Sequence, residues 1–311
     1  MNILITGGAG FIGSNLIDRL MNRNKIICVD KLIFGNSNIK HLLGHDDFKF
    51  YEIDVTNEDA LNEVFKKNSI DIVYHFAANS DIRKGASNPA IDYNDTFLTT
   101  KVLLDVMRKN NVKDLVFASS SAVYGDKKEV LNENTPDLKP VSYYGGCKLA
   151  SEALISSYAA MCDMNVVIFR FPNVIGPRLT HGVIYDFVEK LKKNPNELEI
   201  LGNGLQCKPY IYITDLIDAI LRLSQRIEKG VNIYNISVLG NGTTVNEIAD
   251  IVTEEMNLKN VKYKYSGSDR GWKGDVPKFS YDITKILETG WEPKYTSNEA
   301  VRKTVKKVLG E

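Results

Sequence analysis

The sequence predicts an α/β protein built on a doubly wound parallel sheet, with a smaller C-terminal α/β region. Three observations predict this fold. Short unbroken apolar runs recur along the N-terminal half, longer segments with apolar residues three and four apart separate them, and a glycine-rich turn follows the first run. Strands that are apolar throughout, not in alternation, are buried on both faces, as in a parallel sheet covered by helices on either side.

The first strand, "NILITG", runs into "TGGAGFIGSNLI", where Gly7, Gly10 and Gly13 stand at GxxGxxG spacing and a helix begins. Glycines there allow a tight turn and a close backbone approach to a pyrophosphate, whose charge meets the helix N-terminus. The second strand, "KIICVD", ends on Asp30, 17 residues past Gly13. A carboxylate at that point accepts from both ribose hydroxyls and repels a 2'-phosphate, which favours NAD over NADP. The alternatives for Asp30 are a helix cap and a solvated loop acid. "FKFYEIDV" is the third strand, and Asp54 at its end either approaches the adenine or caps the helix predicted from "NEDALNEVFKKN". "IDIVYHFAA", "DLVFASS" and "NVVIFRF" are the fourth to sixth strands, with "TFLTTKVLLDVMRKN" as the helix after the fourth. His75 closes an apolar run and is expected to be packed. Past residue 171 the regularity falls, with Pro172, Pro177, Pro195 and "LGNG" punctuating shorter elements.

Lys plus Arg and Asp plus Glu balance at 39 each, so net charge points to neither a nucleic-acid nor a membrane partner. Cys28, Cys147, Cys162 and Cys207 are widely spaced, without a CxxC, which argues against zinc or a disulfide framework. His41 and His45 are four apart in a predicted loop and do not make a metal site; no metal is expected. The chain starts on "NILITG" without a basic leader and has no apolar run of 18 residues, so a cytoplasmic protein is expected.

In "SYYGGCK", Tyr144 and Lys148 lie one helical turn apart on one face, so a phenol and an ammonium can share a site. Tyr124 with Lys128 and Tyr281 with Lys285 have the same spacing, and among 15 tyrosines such pairs arise by chance. Spacing alone does not choose among the three.

The pieces "TGGAGFIGSNL", "VDKL" followed by Gly35-Asn36, "DV" at 54, "HFAA", "FASSSAVYG", "YYGGCK", "RFPNVIGP" and "YIYITD" occur in that order over about residues 1–215. In these the chain resembles the extended short-chain dehydrogenase/reductase family, and within it the nucleotide-sugar epimerases and dehydratases. The resemblance implies an NAD-binding Rossmann domain over 1–171, with about 205–235 returning to it, and a nucleotide-sugar-binding region over 172–311. It implies catalysis by Ser120, Tyr144 and Lys148, because the family's Tyr-x-x-x-Lys follows the serine-bearing strand and its serine lies three residues before the valine of "VYG". Ser119 and Ser121 are then expected to satisfy the turn backbone, and Tyr143 to line the pocket or pack. Cofactor contacts are implied at Gly7, Gly10, Phe11, Ile12, Gly13, Asp30, Lys31, Asn36, Asp54, Val55, Phe76, Ala77, Ala78, Ser80, Tyr144 and Lys148. Substrate contacts are implied at Ser120, Ser121, Tyr144, Asn173, Lys208, Tyr210 and Arg270. A homodimer through the "TTKVLLDVM" helix and the Tyr144 helix is implied as well.

The chain departs from the family in places. Lys208 stands where arginine is usual and loses the bidentate fork on a phosphate. Arg270 is displaced by a residue or two from the family's diphosphate arginine, and its other reading is a solvated loop residue. "TFLTT" replaces "NVxGT" and its ordering asparagine, Cys147 replaces a common serine, and Phe279 falls where bulk excludes an N-acetyl group in some epimerases.

A phenol with pKa near 10 needs roughly 3 units of lowering, about 4 kcal/mol, to serve as a base at neutral pH. Lys148 and the positive nicotinamide ring are the expected sources. Tyr144 would take a proton from a sugar hydroxyl held by Ser120 while C4 is oxidised by NAD. The family's dehydratases carry Asp-Glu directly after the catalytic Thr, whereas Ser121 and Ala122 occupy those positions here. The expected activity is therefore 4-epimerisation of a nucleotide sugar, most simply UDP-glucose to UDP-galactose. A 4,6-dehydratase or 4-dehydrogenase is the nearest alternative, and a non-catalytic NAD-binding regulator is the alternative of another class.

Overall fold

The computed structural model describes residues 1–225, 227–271 and 274–310. Six strands form most of one sheet: β1 (Asn2–Thr6), β2 (Lys25–Asp30), β3 (Phe48–Glu52), β4 (Ile72–His75), β5 (Asp114–Ala118) and β6 (Asn165–Arg170). They pair in parallel in the order β6-β5-β4-β1-β2-β3, and the strand Gly230–Asn235 joins at the β6 edge to make seven. Every residue of β4 is buried, as is all of β1, β5 and β6 past the first residue, which is what their unbroken apolar runs require. The chain runs outward from β1 to β3 and then from β4 to β6, so the order reverses between β1 and β4. In such sheets ligands bind in the crevice at the carboxyl ends of the strands where this reversal falls.

The helices of this part are α1 (Phe11–Leu20), α2 (Glu58–Lys67), α3 (Ile82–Ser87), α4 (Pro89–Asp92), α5 (Thr99–Lys109) and α6 (Tyr143–Cys162). A π-helical stretch, Tyr93–Leu98, links α4 to α5. Among the described residues no helix is long and apolar enough to cross a membrane. His75 is packed at the centre, its Nδ1 2.6 Å from Thr6 Oγ1 and its Nε2 3.1 Å from Thr100 Oγ1. Burial, with Lys148 adding to it, brings its pKa down to about 3, so the ring is neutral across the physiological range.

Two compact units divide the chain. The first comprises Met1–Val123, Leu138–Arg170 and Ile220–Tyr234; the second comprises Tyr124–Asp137, Phe171–Ala219 and Asn235–Glu311. The boundaries differ from the expected ones at two places. Residues 124–137 belong to the second unit, where Leu131 N–H donates to Ser280 O at 2.9 Å and the Tyr124 hydroxyl donates to Asn235 Oδ1 at 2.7 Å. The return to the first unit starts at Ile220 instead of about 205, because Cys207–Lys208 and Tyr210–Tyr212 pair with Thr243–Thr244 and Asn173–Ile175 of the second unit. A third strand pair, Glu197–Ile200 with Lys262–Tyr265, and capped helices at Val245–Glu255 and Ser297–Leu309 complete that unit.

One buried ion pair ties α6 to β6. Glu152 accepts from Arg170 Nε at 3.0 Å and Nη2 at 2.6 Å, and from the Ser119 hydroxyl, with both charged side chains about 95 % buried. Removing one partner leaves the other buried and uncompensated. Glu152→Ala is therefore expected to cost about 3–5 kcal/mol, read as a lowered denaturant midpoint.

Candidate active site

The glycine turn follows β1 at the crevice. Gly7 has φ +69°, and a Cβ there would lie 2.6 Å from the Ala77 backbone nitrogen, so only glycine admits the loop after β4. Gly10 caps α1 in an extended conformation, and the first turn of α1 carries no acidic residue, leaving its positive end open to an anion. Gly13 packs its Cα against Gly7 and Gly8, while Phe11 and Ile12 are half-buried. Asp30 is neither a helix cap nor a solvated acid: Oδ2 accepts from Ala9 N–H at 3.0 Å and Oδ1 from Leu32 N–H at 2.8 Å. Burial raises its pKa, against the pull of those two bonds and of Lys31.

Asp54 lies at the end of β3 and does not cap α2. Its Oδ1 accepts from Thr56 N–H and hydroxyl at 2.9 and 2.8 Å, and Asn57 caps the helix instead, accepting from Ala60 N–H. Lys31 joins Asp54 at 3.3 Å and Asp95 at 2.6 Å, and Val55 is buried beside them in sequence. Asn36 is exposed; it is Asn38 that reaches the glycine turn, donating to Ala9 O at 3.0 Å. Phe76, Ala77 and Ala78 are half-buried after β4 and Ser80 is exposed. Thr96, the first residue of "TFLTT", accepts through Oγ1 from Asn79 N–H at 3.1 Å. A glycine cradle that side chains would fill, an open helix N-terminus and a backbone-held Asp30 fit a dinucleotide such as NAD.

Ser120, Tyr144 and Lys148 come together in the first unit. The Tyr144 hydroxyl is hydrogen-bonded to Ser120, and the Lys148 ammonium donates to Ala118 O at 2.6 Å, 4.8 Å from the Phe117 ring centre. The helix can approach because Gly145 has no side chain: a Cβ there would lie 2.5 Å from Ala122 O. Ser142 starts α6 by accepting from Gly145 N–H at 3.1 Å. Tyr143, the neighbouring tyrosine, is 54 % exposed and does not pack. The other two tyrosine-lysine spacings fall outside helical turns, since Tyr124 precedes a loop and Tyr281 precedes the short helix Thr284–Leu287.

The serine roles differ from expectation. Ser120 satisfies the turn, its Oγ accepting from Ala122 N–H at 3.2 Å, while Ser119 turns inward to Glu152. Ser121 is half-buried at the start of a 3₁₀ turn. The tyrosine is not lowered by the lysine either. Burial pushes the Tyr144 phenol up to about 12, with the Ser120 bond pulling it down and the Asp92 carboxylate adding to the rise. The Lys148 nitrogen is 5.9 Å from the Tyr144 ring centre and is engaged by the Ala118 carbonyl, so the charges of this chain alone hold Tyr144 protonated at neutral pH. Asp92, buried beside Asn79 with Oδ1 accepting from its side-chain amide at 2.7 Å, carried no signal in the sequence.

In the second unit Asn173 and Tyr210 are register partners in adjacent strands. Lys208 pairs with the buried Asp275 carboxylate, and Arg270 donates to Asp275 O at 3.1 Å and pairs with Asp126 at 2.5 Å. Burial raises the Tyr210 phenol's pKa, and Asp275 adds to it. Lys208, Tyr210 and Arg270 thus gather around Asp275, with Arg270 paired instead of solvated. Phe279 is half-buried, its ring 5.7 Å from that of Tyr281.

These features define a Rossmann-like α/β protein with a dinucleotide cradle where the strand order reverses. The chain belongs to the NAD dependent epimerase/dehydratase family, whose profile matches residues 3–237. It is an enzyme of that family, with NAD as cofactor. It is 33 % identical over 310 residues to a putative UDP-glucose 4-epimerase of Methanocaldococcus jannaschii, covering 97 % of each chain. Among solved structures it is similar to the UDP-glucose 4-epimerase of Thermotoga maritima with UDP-glucose, at 31 % identity and TM-score 0.88, covering 100 % of this chain and 99 % of that one. The UDP-glucose 4-epimerase of Thermus thermophilus in complex with NAD matches at 28 % identity and TM-score 0.88 over the same shares.

Burial brings the Lys148 ammonium down to about 7 from its ordinary 10.5, although Glu152 and Cys147 pull it upward. Its folded pKa is below its unfolded one, so the charged form is penalised on folding below pH 7 and the penalty lifts as pH rises towards 10.5. Lys148→Met is expected to melt above the wild type below pH 7, with the gap closing as pH rises through that window. A gap in calorimetric Tm that does not change with pH would remove this assignment.

Proposed function

We propose that this chain is an NAD-dependent nucleotide-sugar 4-epimerase, acting most simply on UDP-glucose and UDP-galactose. The observation that carries the reading is the convergence of Ser120, Tyr144 and Lys148 on one turn whose next positions are Ser121 and Ala122, with no acid pair for eliminating a sugar hydroxyl. The UDP-glucose 4-epimerases among its relatives support the same substrate class.

Tyr144 accepts the proton of the sugar 4-hydroxyl in its phenolate form, which the positive charge of bound NAD would have to favour because this chain's own charges hold the phenol protonated. Ser120, whose hydroxyl is hydrogen-bonded to Tyr144, holds the same sugar oxygen. Bound NAD supplies the acceptor and donor of hydride at C4. Lys148, pinned by Ala118 O, favours the phenolate only when it carries its own proton, which burial makes harder to hold. With no residue at Ser121 or Ala122 to take the C5 proton, the 4-keto sugar returns to the alcohol, and inversion at C4 follows from reduction on its other face. In this reading the first unit binds NAD. The second unit binds the nucleotide, with Asn173, Lys208, Tyr210 and Arg270 as its contacts.

Tyr144→Phe is expected to lower the rate by about 10²–10⁴ without changing the fold, measured as initial rates beside circular dichroism; near-wild-type turnover would sink the mechanism. Proton NMR of the purified protein with UDP-, dTDP-, GDP- and CDP-hexoses, without added NAD, is expected to show a 4-epimer from the UDP-sugar. A 4-keto-6-deoxy product would replace this reading with a dehydratase.

A further inference from the structure

Lys31 follows Asp30 at the end of β2, at the edge of the pocket where the adenosine ribose of a dinucleotide is expected. A free ammonium there would attract a 2'-phosphate and undo the exclusion that Asp30 provides. The Lys31 nitrogen is not free: it lies 2.6 Å from Asp95 Oδ1 and 3.3 Å from Asp54 Oδ2. Asp30 is turned to the backbone N–H groups of Ala9 and Leu32 and acts on Lys31 only through space.

The closer partner, Asp95, comes from the π-helical stretch Tyr93–Leu98. Such stretches are rare and gather at functional sites. Each residue of an α-helix advances the side-chain direction by about 100°, so one extra residue per turn re-aims the side chains beyond it. The adjacent Thr96 is held by Asn79 N–H at 3.1 Å, which anchors the stretch on the other side. Asp54 is the weaker holder, with the longer contact and a side chain already bonded twice to Thr56.

We infer that Asp95 is a specificity residue for the cofactor: by engaging Lys31 it withholds the cation that would otherwise accept a 2'-phosphate, and so enforces NAD over NADP. The inference extends the NAD-binding reading of the first unit to a residue outside the glycine turn and the ribose acid. It acts through Lys31, so the readout is a ratio of affinities rather than an activity.

The test is fluorescence titration of NADH and NADPH into the full chain freed of co-purified nucleotide, at one ionic strength. The wild type is expected to favour NADH. Asp95→Asn, with Asp95→Ser measured in parallel, is expected to narrow the NADH-to-NADPH preference by roughly tenfold, and Lys31→Met in the Asp95→Asn background to restore it. An unchanged ratio in both Asp95 variants, as a merely structural ion pair would give, overturns the inference. So does a narrowing that survives Lys31→Met, or a wild type that binds the two dinucleotides equally. A wild type that binds neither would overturn the cofactor reading itself, a separate result.

Discussion

The meeting of Ser120, Tyr144 and Lys148 depends on how closely α6 can lie over the end of β5. Three contacts set that approach: the bare Cα of Gly145 against Ala122 O, the Lys148 ammonium on Ala118 O, and Glu152 clamped by Arg170 and Ser119. Only the first is a steric permission; the other two bring charges into the interior, where each needs a partner. The Tyr144 hydroxyl meets Ser120 because these three fix the helix in height and rotation. An added methyl group at position 145 would strain the whole arrangement from its narrowest point.

The sheet was legible because its strands leave an unbroken apolar record, and the glycine turn because a positive φ and close backbone contacts admit little else. Tyr144 was separable from Tyr124 and Tyr281 only through its neighbours, and the structure gives the reason: neither of the other pairs lies along a helix. Polar partnerships were read less well. Ser120 both meets Tyr144 and satisfies the turn expected of Ser119, which faces Glu152 instead, because adjacent residues in a turn point in different directions and a run of three serines does not encode which. Asp54 and Asn57 are both good caps by type, and chain direction after β3 chose Asn57. Asp92, Asp95 and Asn38 had no motif to mark them, since each matters through a partner 13, 64 or 29 residues away.

The second unit holds its cations on carboxylates, as the first holds Lys31 and Arg170. Lys208 and Arg270 are both held by carboxylates, Asp275 and Asp126, and the backbone carbonyl of Asp275 adds a further acceptor. Any anion arriving there would exchange one set of anionic oxygens for another, so its net gain would be smaller than the two charges suggest. Lys208 meets Asp275 through one carboxylate oxygen, a contact that needs no guanidinium fork.

A buried ammonium with a pKa of about 7 also gives the site a variable charge. Burial makes Lys148 give up its proton far more readily than an exposed lysine does. A ligand that brings negative charge near it draws a proton from solvent as it binds, and one that brings positive charge releases a proton. The charge beneath the Ser120–Tyr144 pair therefore answers to whatever occupies the crevice above it.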